Sequence, residues 1–251
     1  MIQLKTEKDI DGIRKSCKLL AKLFQELDSF IKEGLSTKTI DEFIYDFAIK
    51  NKAYPSCLGY EGYPASACIS VNDTIIHGIP SKKEILKAGD LVSVDICLTL
   101  NGYVSDSTHS YEIGSVSPEL HKLNVVTKKC LDLGIEAASL KGARIQDIGA
   151  AVSKYAQKNG YGVVRDYCGH GVGFDVHEEP EVPNYTSLGM PNSRLKPGMV
   201  IAIEPMINLG TYKIKTLKDG WTVKTMDGKP ACHWEHTVAI TNDGLEVLTI
   251  L

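Results

Sequence analysis

Between residues 10 and 27, apolar side chains recur at intervals of three and four: Ile10, Ile13, Cys17, Leu20, Phe24 and Leu27. That spacing lays a single apolar stripe along a helix. Thr6, with Asp9 three positions on, offers the reciprocal cap that would open it. After Ser36 the pattern returns with Ile40, Phe43, Ile44 and Phe47, which predicts a second helix. From there to about residue 115, Gly, Pro, Tyr and β-branched residues take over, and the period changes to that of strands and turns. In Leu91–Leu98 the apolar residues Val92, Val94, Ile96 and Leu98 alternate with Ser93, Asp95 and Cys97, giving a strand with one apolar and one polar face. The order then starts again. Ser117-Pro118 places an N-cap before a proline at the first helical position, and Leu120, Leu123, Leu131 and Ile135 follow. Gly142 and Gly160 bracket a fourth helix carrying Ile145, Ile148 and Val152.

The second half echoes the first in residues as well as in element order. Gly34 and Ile40 are matched 108 positions later by Gly142 and Ile148. Leu86-Lys-Ala-Gly-Asp-Leu-Val-Ser-Val-Asp95 is matched 109 positions later by Leu195-Lys-Pro-Gly-Met-Val-Ile-Ala-Ile-Glu204. Self-similarity at a fixed offset points to a duplicated structural unit. We therefore expect one domain, residues 1–251, built of two pseudo-symmetric halves of about 1–115 and 116–251, with one acid from each half near their axis.

Composition narrows the class. At 251 residues and 43% hydrophobic content, the chain can bury a large core. A formal charge of -3, with acidic and basic residues interspersed, leaves no basic footprint for nucleic acid. No apolar run is long enough for a membrane helix, and the opening MIQLKTEKDI is charged where a signal peptide is apolar. A cytoplasmic protein is expected. The seven cysteines are odd in number and form no C-x-x-C pair, which speaks against a disulfide framework or a zinc knuckle.

Candidate chemistry collects around a few acids and imidazoles. Asn101-Gly102 predicts a two-residue type I′ hairpin, which would pair Cys97 with Asp106 and leave Asp95 and Asp106 as diagonal neighbours on one face. Such acids could share a cation or simply face solvent. Glycines flank His170, and His177-Glu-Glu-Pro180 brings a second imidazole. Glu204 and Glu235 sit inside apolar strand patterns, where a buried acid needs a partner: a cation, or a Lys or Arg from elsewhere in the chain. Together, four carboxylates and one imidazole suffice for two divalent ions. Such a pair makes water nucleophilic at neutral pH and polarises a scissile carbonyl, which points to peptide hydrolysis.

At these residues the sequence resembles the type I methionine aminopeptidases, from the first helix to the carboxyl end. The likeness is carried by Cys57-Leu-Gly-Tyr-Glu-Gly-Tyr63, Cys68-Ile-Ser-Val-Asn72, His77-Gly-Ile-Pro80, Cys168-Gly-His-Gly-Val-Gly173, His177-Glu-Glu-Pro180, Ile203-Glu-Pro-Met206, Asp219-Gly-Trp-Thr222 and Glu235-His-Thr237. The resemblance implies an α+β, pseudo-twofold "pita-bread" fold, a curved antiparallel sheet with helices on its outer face. It implies two divalent ions, Mn, Fe(II), Co or Zn, with Asp95 on one, His170 and Glu204 on the other, and Asp106 and Glu235 bridging. Glu204 would also accept the proton of the attacking water. His77 would stand beside the scissile amide and His177 near its carbonyl oxygen, while Cys57, Tyr60, Tyr63, Cys68 and Trp221 would line a methionine pocket. The implied substrate is the amino terminus of peptides and nascent proteins with a small second residue, met at the ribosome by a monomeric enzyme. No nucleic acid or membrane takes part.

Val176, Asp175 and His109 depart from the family's usual residues. Val176 stands where a bulky aromatic is common and would widen the pocket rim; His109 is expected on the surface without a catalytic role. A proline-specific aminopeptidase or prolidase of the same fold and a non-catalytic binding relative are the alternatives. The first usually carries an additional amino-terminal domain, and the second would have lost its ligands.

Overall fold

A computed structural model describes all residues from 1 to 251, with four helices and a large antiparallel sheet. Helix α1 (Glu7–Phe30) opens at Thr6, whose side chain accepts from the Asp9 amide while the Asp9 carboxylate accepts from the Thr6 backbone. All six stripe residues are buried. In α2 (Thr37–Lys50) the Ser36 hydroxyl caps the first turn; Ile40 and Ile44 are fully buried, and Phe43 is half-buried, stacked on Phe30. Helices α3 (Pro118–Ser139), capped by Ser117, and α4 (Ile145–Lys158) cross closely at Gly134, where a Cβ would stand 3.2 Å from both Ile203 and Val152.

The sheet runs Tyr54–Pro55, Leu91–Leu100, Tyr103–Glu112, Glu235–Thr241, Val200–Ile203, Gly169–Gly171, Glu178–Val182, all pairings antiparallel. Asn101 and Gly102 both take positive φ, 52° and 83°, as a type I′ turn requires. The hairpin has the expected register, with Leu100 opposite Tyr103 and Cys97 opposite Asp106. Val92, Val94, Ile96 and Leu98 pack under α1 and α2, and Ile201, Ile203, Val238 and Ile240 pack under α3 and α4. Both helical pairs thus cover the outer face of a curled sheet, and the acids alternate to its inner face.

The internal repeat is reproduced in backbone detail. Gly89 and Gly198 turn with φ of 96° and 94°. The amide of Leu86 donates to Leu35 at 2.8 Å, and that of Leu195 donates to Ala143 at 2.9 Å. The same hydrogen bonds therefore close matching turns ahead of the strands that deliver Asp95 and Glu204.

His109 corrects one expectation. Odd-numbered residues of Tyr103–Glu112 alternate toward the helices, so its ring stacks on Phe24 with centroids 3.9 Å apart. Burial pushes its pKa down to about 3, and Nε2 has no hydrogen-bond partner. It is half-buried beneath α1 and packed on aromatic rings, not a surface residue. All seven cysteines are free, and no helix is long and apolar enough to cross a membrane. Before α1, Lys5 is buried in an ion pair with Glu178, and its amide donates to Gly198 at 2.7 Å.

Candidate active site

Strand register assembles the inner face. Thr108 lies opposite Asp95 on one side and opposite Glu235 on the other, so the three form a row across neighbouring strands. Asp106 lies one step away opposite Cys97. Glu204 follows directly on the Val200–Ile203 strand, and His170 sits in the Gly169–Gly171 strand beside it. Gly169 and Gly171 are needed for close approach, since a Cβ there would meet Ala202 O at 2.4 Å and Glu179 O at 2.3 Å. All five expected ligands therefore line one cavity of about 730 Å³. Two clusters have possible ligating atoms within 4.8 Å of one another: Asp95, Cys97 and Asp106, and Asp106, His170 and Glu235. Asp106 belongs to both.

The electrostatics of this cluster call for a cation. His170 Nδ1 lies 2.9 Å from the carbonyl oxygen of Gly171, which can only accept, so the proton is on Nδ1 and the Nε2 lone pair is free. That lone pair faces Glu204 Oε1 at 3.3 Å and Asp106 Oδ2 at 3.7 Å. Burial drives the His170 pKa down to about 3, so protonation does not resolve this meeting of acceptors. Burial also raises Asp95 to about 7 and Glu204 to about 8. Asp106 and Glu235 are raised as well, first by burial and then by the neighbouring carboxylates. Asp106 Oδ1 is buried without a partner. No Lys or Arg lines the cavity, so the alternative of a basic partner from elsewhere in the chain is excluded. Buried acids facing an imidazole lone pair are the donor set of a divalent-metal centre.

Comparison with known proteins agrees with this chemistry. Residues 11–242 match the model of metallopeptidase family M24. This chain belongs to metallopeptidase family M24. Among M24 relatives, the methionine aminopeptidase of Treponema pallidum is 49% identical over 99% of this chain and 96% of its own length. The crystal structure of methionine aminopeptidase from Rickettsia prowazekii superposes with a TM-score of 0.95 at 38% identity, covering each chain completely. Prolidase from Pyrococcus furiosus is more distant, with a TM-score of 0.75 at 25% identity, and the match spans 99% of this chain but 65% of that one. The fold is the M24 pita-bread fold.

The rest of the M24 cavity is a pocket of sulfur and aromatic rings. Cys57, Tyr60, Tyr63, Cys68 and Trp221 all line it, as do His77, His177 and Val176. Tyr63 and Trp221 meet edge to face at 5.2 Å, and the Tyr63 hydroxyl donates to Gly78 O at 2.9 Å. The Asp219 carboxylate accepts from the amides of Trp221 and Thr222, which explains the Asp-Gly-Trp-Thr motif as a turn that presents the indole. His77 takes φ of 55°, a left-handed conformation. The next residue, Gly78, passes so close to Ile69 that a Cβ would lie 2.2 Å from that carbonyl oxygen. Burial lowers the pKa of His77 to about 4 and, more mildly, that of His177. Val176 is buried in the apolar cluster that also contains Cys57, Tyr63, Cys68 and Cys97, and it lines the cavity as pocket wall.

Sequence reasoning missed three neighbours of the acids. Cys97 lies on the inner face with the acids, its thiol within 4.8 Å of a carboxylate oxygen of both Asp95 and Asp106. Thr108 donates to Glu235 Oε2 at 2.8 Å, a contact that depends on the pairing of strands distant in sequence. His233 lies in the cavity with Nε2 at 3.4 Å from Glu204 Oε2. Its position two residues before Glu235 was the available signal.

Proposed function

We propose that this aminopeptidase removes the amino-terminal methionine of peptides and nascent proteins whose second residue is small, using two divalent ions. The observation that carries this reading is a cluster of four buried carboxylates and an imidazole lone pair, with no Lys or Arg among them, opening onto a pocket of thiols and aromatic rings. Asp95, Asp106, His170, Glu204 and Glu235 would hold the ions, and Asp106 is the acid common to both clusters. When bound, divalent cations supply Lewis acidity and lower the pKa of water. Oxygen-rich donors with one imidazole suit Mn, Fe(II), Co or Zn.

The side chains divide the remaining work. Glu204, whose environment favours the protonated carboxyl, is suited to take the proton of the attacking water at a carboxylate oxygen and pass it to the leaving nitrogen. His177 Nδ1 lies 2.8 Å from the Tyr60 hydroxyl. If that hydroxyl donates, the imidazole proton sits on Nε2, where it can stabilise negative charge developing on the scissile carbonyl oxygen. His77, neutral and fixed by its backbone, hydrogen-bonds the scissile amide. Cys57, Cys68, Tyr63 and Trp221 receive the thioether, because polarisable sulfur packs well against aromatic rings and thiols. Acids come from both halves, about 1–115 and 116–251, so together they form one catalytic domain.

Hydrolysis of Met-Ala-Ser, compared with an X-Pro dipeptide in Mn2+-containing buffer, tests this proposal. Release of free methionine from Met-Ala-Ser is expected, with the X-Pro dipeptide left intact. Cleavage of the X-Pro substrate alone would transfer the protein to the prolidase side of its family.

A further inference from the structure

Glu204 stands between two imidazoles. Oε1 lies 3.3 Å from His170 Nε2, and Oε2 lies 3.4 Å from His233 Nε2. The first contact belongs to the expected metal centre. The second has no assigned purpose, and its geometry is unusually well fixed.

The backbone of His233 is clamped from two sides. Its amide donates to Ser93 Oγ at 3.2 Å, its carbonyl accepts from Ser110 Oγ at 2.7 Å, and the two serine hydroxyls are 2.7 Å apart. Antiparallel pairing of His233 with Met206 adds a third constraint, two residues beyond Glu204. The ring is 2% exposed, and Nε2 has no hydrogen-bond partner. A buried N–H left unpaired is costly, on the order of 1–3 kcal/mol, so a ring held here by three backbone contacts should have its nitrogen matched to an acceptor. The carboxylate oxygen that faces it is Glu204 Oε2, at 3.4 Å. Meanwhile the main-chain carbonyl of Glu204 accepts from Asn184 Nδ2 at 2.9 Å, which fixes the backbone from which the carboxylate projects.

We propose that His233 is a positioning residue: its Nε2–H donates to Glu204 Oε2 and sets the rotation of that carboxylate, so that Oε1 stays directed at the His170 side of the site. A carboxylate that must serve both as ligand and as proton acceptor needs its two oxygens kept distinct, and one fixed donor does this. Partners that orient a ligand are typically worth about 10- to 100-fold in metal affinity or activity. The inference rests on the proposed role of Glu204, and its test separates the two.

Three substitutions discriminate by where they place a donor. His233→Gln puts an amide N–H near the Nε2 position, His233→Asn ends short of it, and His233→Leu fills the volume with no donor. Each variant is checked for native circular dichroism and for the Tm of the chelated protein. Mn2+ binding is then followed by titration calorimetry, and kcat and KM are measured with Met-Ala-Ser. The Leu and Asn variants should bind Mn2+ about 10- to 100-fold more weakly and lose kcat by a similar factor, with KM changed less than about 3-fold. The Gln variant should recover both properties to within about 3-fold of wild type. A folded Leu or Asn variant with wild-type Mn2+ affinity and kcat would overturn the proposal. So would a folded Gln variant as impaired as Leu, since a donor at that point would then be insufficient. Failure of the wild-type protein itself to bind Mn2+ and release methionine would instead defeat the functional reading beneath it.

Discussion

The Tyr60 hydroxyl and His177 Nδ1 lie 2.8 Å apart at the mouth of the cavity, joining residues 117 positions apart in the chain. The rings are 5.2 Å apart and tilted, so the contact is directional and not a stack. Removing the hydroxyl with Tyr60→Phe frees the imidazole to change tautomer. We expect kcat/KM to fall about 5- to 10-fold, close to the value of one hydrogen bond. In a His177→Ala background the same substitution should cost almost nothing further, because the two act as one unit. Additive losses in this double-mutant cycle would show that Tyr60 acts independently of His177.

Asp106 is the acid common to both ligand clusters. Asp106→Asn keeps its shape and removes the charge, so the variant should retain its fold, bind little metal and lose most turnover. Metal content by elemental analysis, measured beside methionine release, checks this. Full metal occupancy in an active Asn variant would contradict a bridging role.

Thr108 offers a subtler test. Its hydroxyl donates to Glu235 Oε2 at 2.8 Å within the row that includes Asp95. Thr108→Val preserves the β-branched shape and deletes the donor. Mn2+ affinity by calorimetry should weaken about 10-fold, at the low end for a residue that orients a ligand. An unchanged Kd would mean that strand pairing alone fixes Glu235.

Proton linkage gives the chelated protein a distinctive pH profile. In the folded chain Asp95 and Glu204 are raised to about 7 and about 8, from reference values of 3.8 and 4.5. Folding therefore favours their protonated forms. Their contribution to stability is complete below about pH 4 and is lost as pH rises toward 8. Chelated protein should melt at a higher temperature at pH 5.5 than at pH 8.5, by roughly 10 °C, since each kcal/mol moves a domain of this size by about 2–4 °C. Saturating Mn2+ should reverse the order, because cations bind the ionised carboxylates. Scanning calorimetry at the two pH values, with and without the ion, measures both. A chelated protein with the same Tm at each pH would remove the basis for the raised carboxylates.

The site divides into parts that the sequence carries locally and parts that it does not. The Asp95–Asp106 relationship was legible because Asn101-Gly102 fixes a two-residue turn, and register then follows by counting. The helices were legible from stripes such as Ile10 to Leu27 and from the Thr6 and Ser117 caps. Pairing of Glu235 with Thr108 was not, because it joins strands more than a hundred residues apart and no turn sets their register. His109 was misplaced for a related reason: knowing that Asp106 faces inward implies that residue 109 faces outward, but not that α1 covers that side. His233 lacked the flanking glycines that marked His170, and its contact with Glu204 exists only once two short strands pair.

The ion pair between Lys5 and Glu178 carries one more implication. Glu178 Oε1 also accepts from the amides of Phe174 and Asp175, at 2.7 and 3.1 Å, so a single carboxylate ties the bend before His177 to the segment ahead of α1. The stretch before the first helix is thereby stitched into the wall of the cavity. Trimming back past Lys5 should therefore blunt catalysis although no reacting group is removed, whereas a tag added ahead of Met1 should be tolerated.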